Sequence, residues 1–248
     1  MLPKMPAPAE QVTANTRQAR ETITVVIPAL NEQDGITATI EAIPKQQLEE
    51  MGLEVQLLVV DNGSTDGTPG LAMKAGADVI VEPRRGYGSA FKTGFAGARG
   101  TIIATCDADG TYPVEELPRL VKTLLEEKLD FLTTNRLSGM DRGAMSLRNQ
   151  IGNTILAWET RILYGLNLRD PESGMWVFRK EILPALRLRS DTWPFSHELK
   201  LEACFYARRR CREVPIHYGV RLGQTNLSAG WKVGFDDFVH ILKKRFIR

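Results

Sequence analysis

Residues 55–68, VQLLVVDNGSTDGT, decide the fold: an apolar Val/Leu run ends on Asp61, and a Gly/Ser/Asp turn leads to a helix expected from about Asp66. A strand that is apolar at nearly every position is buried on both faces, as in a parallel sheet covered by helices. The same unit recurs on either side. Upstream, TITVVIPAL (22–30) is a β-rich run, and NEQDG leads to a helix beginning near Asp34. Downstream, DVIVE (78–82), TIIATCD (101–107) and DFLTTN (130–135) read as strands. Between them, RRGYGSAFKTGFAGARG (84–100) reads as a turn and helix, and PVEELPRLVKTLLEEK (113–128) as a strongly patterned helix. Strands alternating with helices predict an α/β chain around a mostly parallel sheet.

After Arg136 the rhythm changes. A polar loop (136–147), a helix (148–164), the run WVFRKEIL, a helix (194–210), a strand (212–219) and a tail helix from Gly234 follow. The predicted organisation is an arm at 1–21, one domain at 22–233 and a C-terminal amphipathic helix at 234–248. The domain divides into a first half (22–135) and a second half (136–233).

Three strand ends carry polar signatures: PALNE (28–32), DNGSTDGT (61–68) and DADG (107–110). Ligands of open parallel sheets bind at such ends. Asp and Gly after a strand are also ordinary turn and cap residues, so each signature alone has a bland reading. In an extended segment Asp107 and Asp109 point the same way, and two adjacent carboxylates repel unless a cation lies between them. Oxygen ligands suit Mg²⁺ or Mn²⁺.

The net charge of +2 hides a division: 12 Lys/Arg against 19 Asp/Glu in residues 1–135, and 20 against 11 in 136–248. A basic second half suits an anionic acceptor or membrane surface, or is simply solvated. Cys106, Cys204 and Cys211 show neither zinc spacing nor a disulfide framework, which suggests a reducing, cytoplasmic setting. No apolar leader opens the chain, and no apolar run reaches the roughly 18 residues of a spanning helix. The expected location is therefore peripheral, at the cytoplasmic membrane face.

Taken together, TVVIPALNE, VVDNGSTDGT, RRGYGSAFKTGF, CDADGTYPVEELPRLV, NRLSG, RDPESGMWVFRK and REVPIHYGVRLGQTNLS resemble the family 2 glycosyltransferases. Within that family the chain looks most like the polyprenyl (dolichyl) phosphate hexosyltransferases of the dolichyl-phosphate mannose synthase type. The resemblance implies a GT-A fold and inverting transfer of a hexose from a UDP- or GDP-sugar to polyprenyl phosphate. It implies that Pro28, Leu30, Glu32, Asp61 and Ala108 line the nucleotide-sugar pocket, and that Asp107 and Asp109 hold the metal and diphosphate. Arg136, Arg148 and Arg221 match positions set against the acceptor phosphate, with Arg136 and Arg148 counted among the catalytic residues beside Asp107 and Asp109. The implied partners are the donor, the lipid phosphate and the membrane surface, with room for a separate membrane protein and no place for nucleic acid.

Two positions depart from the mannose synthases: Thr111 stands where they usually carry Gln, and Asn226 where they often carry Lys. A phosphate nucleophile is largely dianionic near neutral pH and needs no base. An alcohol acceptor needs one, and Asp170, Glu172 and the pair His197–Glu198 are the candidates. The glycines of RRGYGSAF suggest a flexible loop near the diphosphate, with Arg84 or Arg85 adding charge, or only a turn before a helix. Phe235, Phe238, Val239, Leu242 and Phe246 recur at helical spacing beside Lys243, Lys244, Arg245 and Arg248, as in an interfacial helix or a docked terminal one. A hydroxyl acceptor, a sugar-phosphate nucleotidyltransferase and a non-catalytic nucleotide-sugar binder are the rival readings.

Overall fold

The computed structural model describes residues 21–223 and 230–247. Residues 1–20 of the expected arm, Asn226 and Arg248 lie outside the described residues.

In chain order the elements are β1 (Thr22–Ala29), α1 (Ile36–Ala42), α2 (Lys45–Glu50), β2 (Glu54–Asp61), α3 (Thr68–Lys74), β3 (Asp78–Val81), α4 (Tyr87–Gly97) and β4 (Ile102–Thr105). There follow α5 (Leu117–Glu126), β5 (Phe131–Asn135), α6 (Leu147–Tyr164), β6 (Trp176–Arg179), α7 (Phe195–Lys200), β7 (Cys211–Pro215) and α8 (Gly230–Phe246). The seven strands form one sheet in the order β3-β2-β1-β4-β6-β5-β7. β1 to β4 are parallel, and β7 is parallel to β5. β6 runs antiparallel to both β4 and β5. WVFR is thus a reversed strand inserted between them, and its first three side chains are buried.

The fully apolar strands are explained by helices on both faces. Ile23, Val25 and Ile27 of β1 meet Ile36 of α1 and Leu120, Val121 and Leu124 of α5. Val26, Leu58 and Val60 point the other way, against Phe91 and Phe95 of α4 and Phe195 and Leu199 of α7. Each such side chain contributes about 1.5–3 kcal/mol on burial.

The helix expected over 194–210 is shorter. α7 ends at Lys200, a wide π-type turn covers Leu201–Tyr206, and Arg208 takes a positive φ of 49°. That reversal brings Cys204 and Cys211 together as a disulfide, with 5.7 Å between Cα atoms. The expectation of no disulfide is overturned here. A bridge over so short a reversal leaves no spaced cysteine pattern to read.

α8 packs on α6: Ile241 joins Leu156 and Tyr164, and the Tyr164 hydroxyl donates to the Ile241 carbonyl at 2.8 Å. The same region buries Glu159 (8 % exposed) with neither carboxylate oxygen hydrogen-bonded. Burial pushes its carboxyl from 4.5 up to about 7. Between those pH values the folded state holds a proton that the unfolded state has released, so stability present below 4.5 is lost as pH rises to 7. Glu159→Gln should therefore raise Tm at pH 8 by at least about 2–4 °C, the equivalent of 1 kcal/mol in a domain of this size. At pH 4 it should leave Tm nearly unchanged. Melting curves at the two pH values test this, and an equal shift at both would contradict it.

Candidate active site

The carboxyl ends of β1, β2 and β4 form one rim, with Ala29 opposite Asp61 and Val26 opposite Thr105. Asn31 makes the turn after β1 possible: its φ is +54°, a left-handed conformation that asparagine tolerates. Its side-chain oxygen accepts from the Thr65 amide at 2.8 Å, and its own amide donates to Ser64 Oγ at 2.9 Å. The Glu32 amide donates to Thr68 Oγ1 at 2.8 Å. PALNE and DNGSTDGT are therefore held together as one wall, with Pro28, Leu30 and Glu32 half-buried and Asp61 buried. Asp61 Oδ1 accepts from the Ser64 amide at 3.1 Å.

The DADG segment closes against that wall. A Cβ on Gly35 would lie 2.7 Å from the Ala108 carbonyl and 2.9 Å from Asp109 Cα, so only glycine permits this approach. Ala108 is buried beneath it. Asp107 Oδ1 is buried with no hydrogen-bond partner. Burial first and the Asp109 charge second push the Asp107 carboxyl up to about 7. Asp109 is well held: Oδ1 accepts from Thr111 Oγ1 at 2.7 Å and from the Thr111 amide at 3.1 Å, while Oδ2 accepts from Arg221 Nη1 at 2.6 Å. Thr111 is thus spent on orienting Asp109.

Arg221 bridges Asp109 and Glu32 through its two terminal nitrogens. Its segment lies along the acids: the Leu222 amide donates to the Asp109 carbonyl at 2.8 Å and the Gly219 amide to the Thr111 carbonyl at 2.9 Å. An arginine that the sequence groups with Arg136 and Arg148 stands directly on Asp109 and Glu32. An orphaned buried carboxylate oxygen beside a second acid held by a guanidinium is a donor set suited to a hard divalent cation.

Arg136, just after β5, makes a two-pronged pair with the fully buried Asp170, Nε to Oδ2 at 2.7 Å and Nη2 to Oδ1 at 2.8 Å. Burial alone would raise the Asp170 carboxyl, and the Arg136 charge reverses that, holding it below the usual range. The Arg136 guanidinium also lies 5.4 Å from the centre of the Tyr218 ring. Arg148, in the first turn of α6, is exposed.

Sequence reasoning missed Lys200. Fully buried on α7, it donates to the Ser173 carbonyl at 2.7 Å and to the Pro171 carbonyl, and stands 5.7 Å from the Trp176 ring centre. Burial lowers its pKa to about 8. A lysine in the apolar register of HELKLEACF was the available signal. The other two acids named as candidate bases are both engaged. Glu172 Oε1 lies 2.8 Å from His197 Nδ1. Glu198 accepts from the Arg189 and Ser190 amides at 3.0 and 2.8 Å and from Lys244 at 2.8 Å.

The RRGYGSAF glycines serve packing. A Cβ on Gly86 or Gly88 would strike the Asp191 or Ser190 carbonyl, so this helix start is pressed against another loop. Arg84 pairs with Glu82, and Arg85 donates to the Gly63 carbonyl at 2.9 Å.

A parallel sheet with acids on three strand ends and DAD beneath a basic segment defines a glycosyltransferase of GT-A type. The family model for glycosyl transferase family 2 matches residues 24–187, and the chain belongs to that family. It is 37% identical over 216 residues to a low-salt glycan biosynthesis hexosyltransferase of Haloferax volcanii, a match over 85% of this chain and 52% of that one. This chain thus spans about half the length of that relative. It is 30% identical to a dolichyl-phosphate hexose transferase of the same organism, over 86% of this chain and 90% of the relative. Among solved structures it resembles Mycobacterium tuberculosis glucosyl-3-phosphoglycerate synthase in complex with Mn²⁺, UDP and phosphoglyceric acid. The TM-score is 0.71 at 26% identity, covering 91% of this chain and 78% of that one.

Proposed function

We propose that this chain moves a hexose from a UDP- or GDP-sugar to polyprenyl phosphate with inversion, using Mg²⁺ or Mn²⁺. In this reading residues 22–135 bind the donor, with Pro28, Leu30, Glu32, Asp61 and Ala108 around the nucleotide. Asp107 and Asp109 hold the metal, which when bound supplies charge stabilisation to the departing nucleoside diphosphate. Residues 136–233 bring the positive charge of Arg136, Arg148 and Arg221 to the acceptor phosphate, with the Arg136 fork held by Asp170 and Arg221 spanning Asp109 and Glu32.

One observation carries the choice of acceptor: the three acids that the sequence offers as bases for a hydroxyl, Asp170, Glu172 and Glu198, are each engaged. Asp170 is clamped by Arg136, Glu172 meets His197, and Glu198 is filled by two amides and Lys244. A phosphate nucleophile dispenses with a base. The dolichyl-phosphate hexose transferase relative supports the same acceptor.

A membrane-surface role draws support from α6 and α8. Leu147, Ile151, Ile155, Trp158 and Ile162 recur along α6 and are all exposed, as are Phe235, Phe238, Leu242 and Phe246 of α8. Apolar faces of this extent mark membrane or protein contacts. Lys244 does not contribute surface charge, because it is buried against Glu198 and Glu202 at 2.8 and 2.9 Å. No helix among the described residues is long and apolar enough to cross a membrane.

The test compares polyprenyl phosphate with the unphosphorylated polyprenol and a free sugar, in anionic vesicles. Transfer to the phosphate should exceed transfer to either hydroxyl at least about a hundredfold, and parity among the three defeats the reading. Trp158→Ser with Ile162→Ser should weaken vesicle binding without altering nucleotide affinity. Removing α8 is unsuitable because Ile241 belongs to the core.

A further inference from the structure

We infer that Glu172, His197 and Asp237 form a second metal site, separate from Asp107 and Asp109, that takes a transition ion of the Zn²⁺ type. The ligand atoms come from the turn before β6, from α7 and from α8. His197 Nδ1 lies 2.8 Å from Glu172 Oε1 and 3.9 Å from Asp237 Oδ1. All three ligand atoms fall within 4.8 Å of one another. Four-coordinate zinc with bonds of about 2.0–2.2 Å sets its ligand atoms roughly 3.3–3.5 Å apart. The two measured spacings from His197 bracket that value, and the third stays within 4.8 Å, so small side-chain movements would draw the ligand atoms together.

The cluster calls for a cation. Asp237 is only 4 % exposed and His197 1 %. Asp237 Oδ1 is buried without any hydrogen-bond partner and faces the imidazole. A buried carboxylate oxygen without a partner is costly, and a second carboxylate nearby adds repulsion. A divalent ion between them removes both penalties.

A metal-bound histidine normally donates its other ring nitrogen to a carboxylate, carbonyl or water that fixes tautomer and orientation, and here an imidazole stands in that place. His197 Nε2 stands 2.8 Å from His240 Nδ1, and His240 Nε2 is 4.0 Å from Glu198 Oε1. An imidazole ligand favours zinc-like ions over Mg²⁺, whereas the all-oxygen pair Asp107 and Asp109 favours the reverse. The two sites therefore sort different metals. Because α8 supplies Asp237 and His240, an ion here clamps the C-terminal helix onto the turn that carries Asp170 and Gly174.

The experiment uses the full chain with Asp107→Asn and Asp109→Asn, so that only the second site remains. Zn²⁺ is titrated in competition with a chromophoric chelator. One Zn²⁺ per chain is expected, together with a Tm that rises with Zn²⁺. Asp237→Asn should weaken binding at least about a hundredfold. His240→Ala, which removes only the outer partner, should weaken it about 10–100-fold. Should Asp237→Asn fail to fold, Co²⁺ in the parent protein decides, through the visible absorption of a four-coordinate nitrogen–oxygen site. The absence of stoichiometric Zn²⁺ binding, or of those Co²⁺ bands, overturns the site and leaves a hydrogen-bonded polar cluster only. Unchanged affinity in both folded variants overturns it as well.

Discussion

Asp109→Asn should lower sugar transfer at least about a hundredfold, and EDTA should abolish it in the unaltered protein, because charge stabilisation by a metal is worth several kcal/mol. Asp109 carries this weight through its position. Its two oxygens are aimed by Thr111 and Arg221, and the neighbouring Asp107 presents a buried oxygen with no other partner. Asparagine keeps the shape but removes the charge and turns half of the group into a donor facing Arg221 or Thr111. The measurement is the initial rate of transfer across a Mn²⁺ series after chelation. A higher Mn²⁺ requirement in the variant locates the defect at the metal, and an undiminished rate in metal-free buffer refutes the assignment.

Asp170→Ala should be the most destabilising single change near the site. It leaves the Arg136 guanidinium beside a hole with no counter-charge, and breaking one partner of a buried pair costs about 3–5 kcal/mol. For a domain of this size that is a fall in Tm of about 6–20 °C. Both members are deeply placed, with Asp170 fully buried and Arg136 nearly so. Lys200 and the Glu213 carboxylate hold the backbone of the same turn, so the loss should spread to the Asp170–Gly174 segment. Replacing both members, with Asp170→Leu and Arg136→Met, should recover much of the stability while abolishing transfer. Thermal melts of the single and double variants check this. A shift below about 2 °C for Asp170→Ala would show that the pair holds nothing in place.

How far the site was legible follows from how local each signal is. Asp61, Asp107 and Asp109 could be read because a strand end and its turn lie within a dozen residues, and the parallel sheet returns every such end to one rim. Glu32 was legible for the same reason, whereas Arg136 was singled out only by the resemblance of NRLSG to the family. Arg221 was legible as a cation but not in its placement. It reaches Asp109 and Glu32 from 112 and 189 positions away, and nothing in the local pattern of REVPIHYGVRLGQ encodes those partners.

By itself the sequence determined the α/β class, the acids at the ends of β1, β2 and β4, and the approximate places of β3, β5 and β7; burial of β1, β2 and β4 on two faces writes an apolar run that needs no partner to be recognised. Tertiary structure alone decided how distant segments meet. It reversed β6 between β4 and β5, paired Arg136 with Asp170, joined Cys204 to Cys211 across a π-type turn, and brought Asp237 of the last helix to His197 and Glu172. The physical reason is common to all four. Periodicity reports which side of an element is buried, whereas strand direction and the pairing of charges or thiols depend on where the chain returns in space.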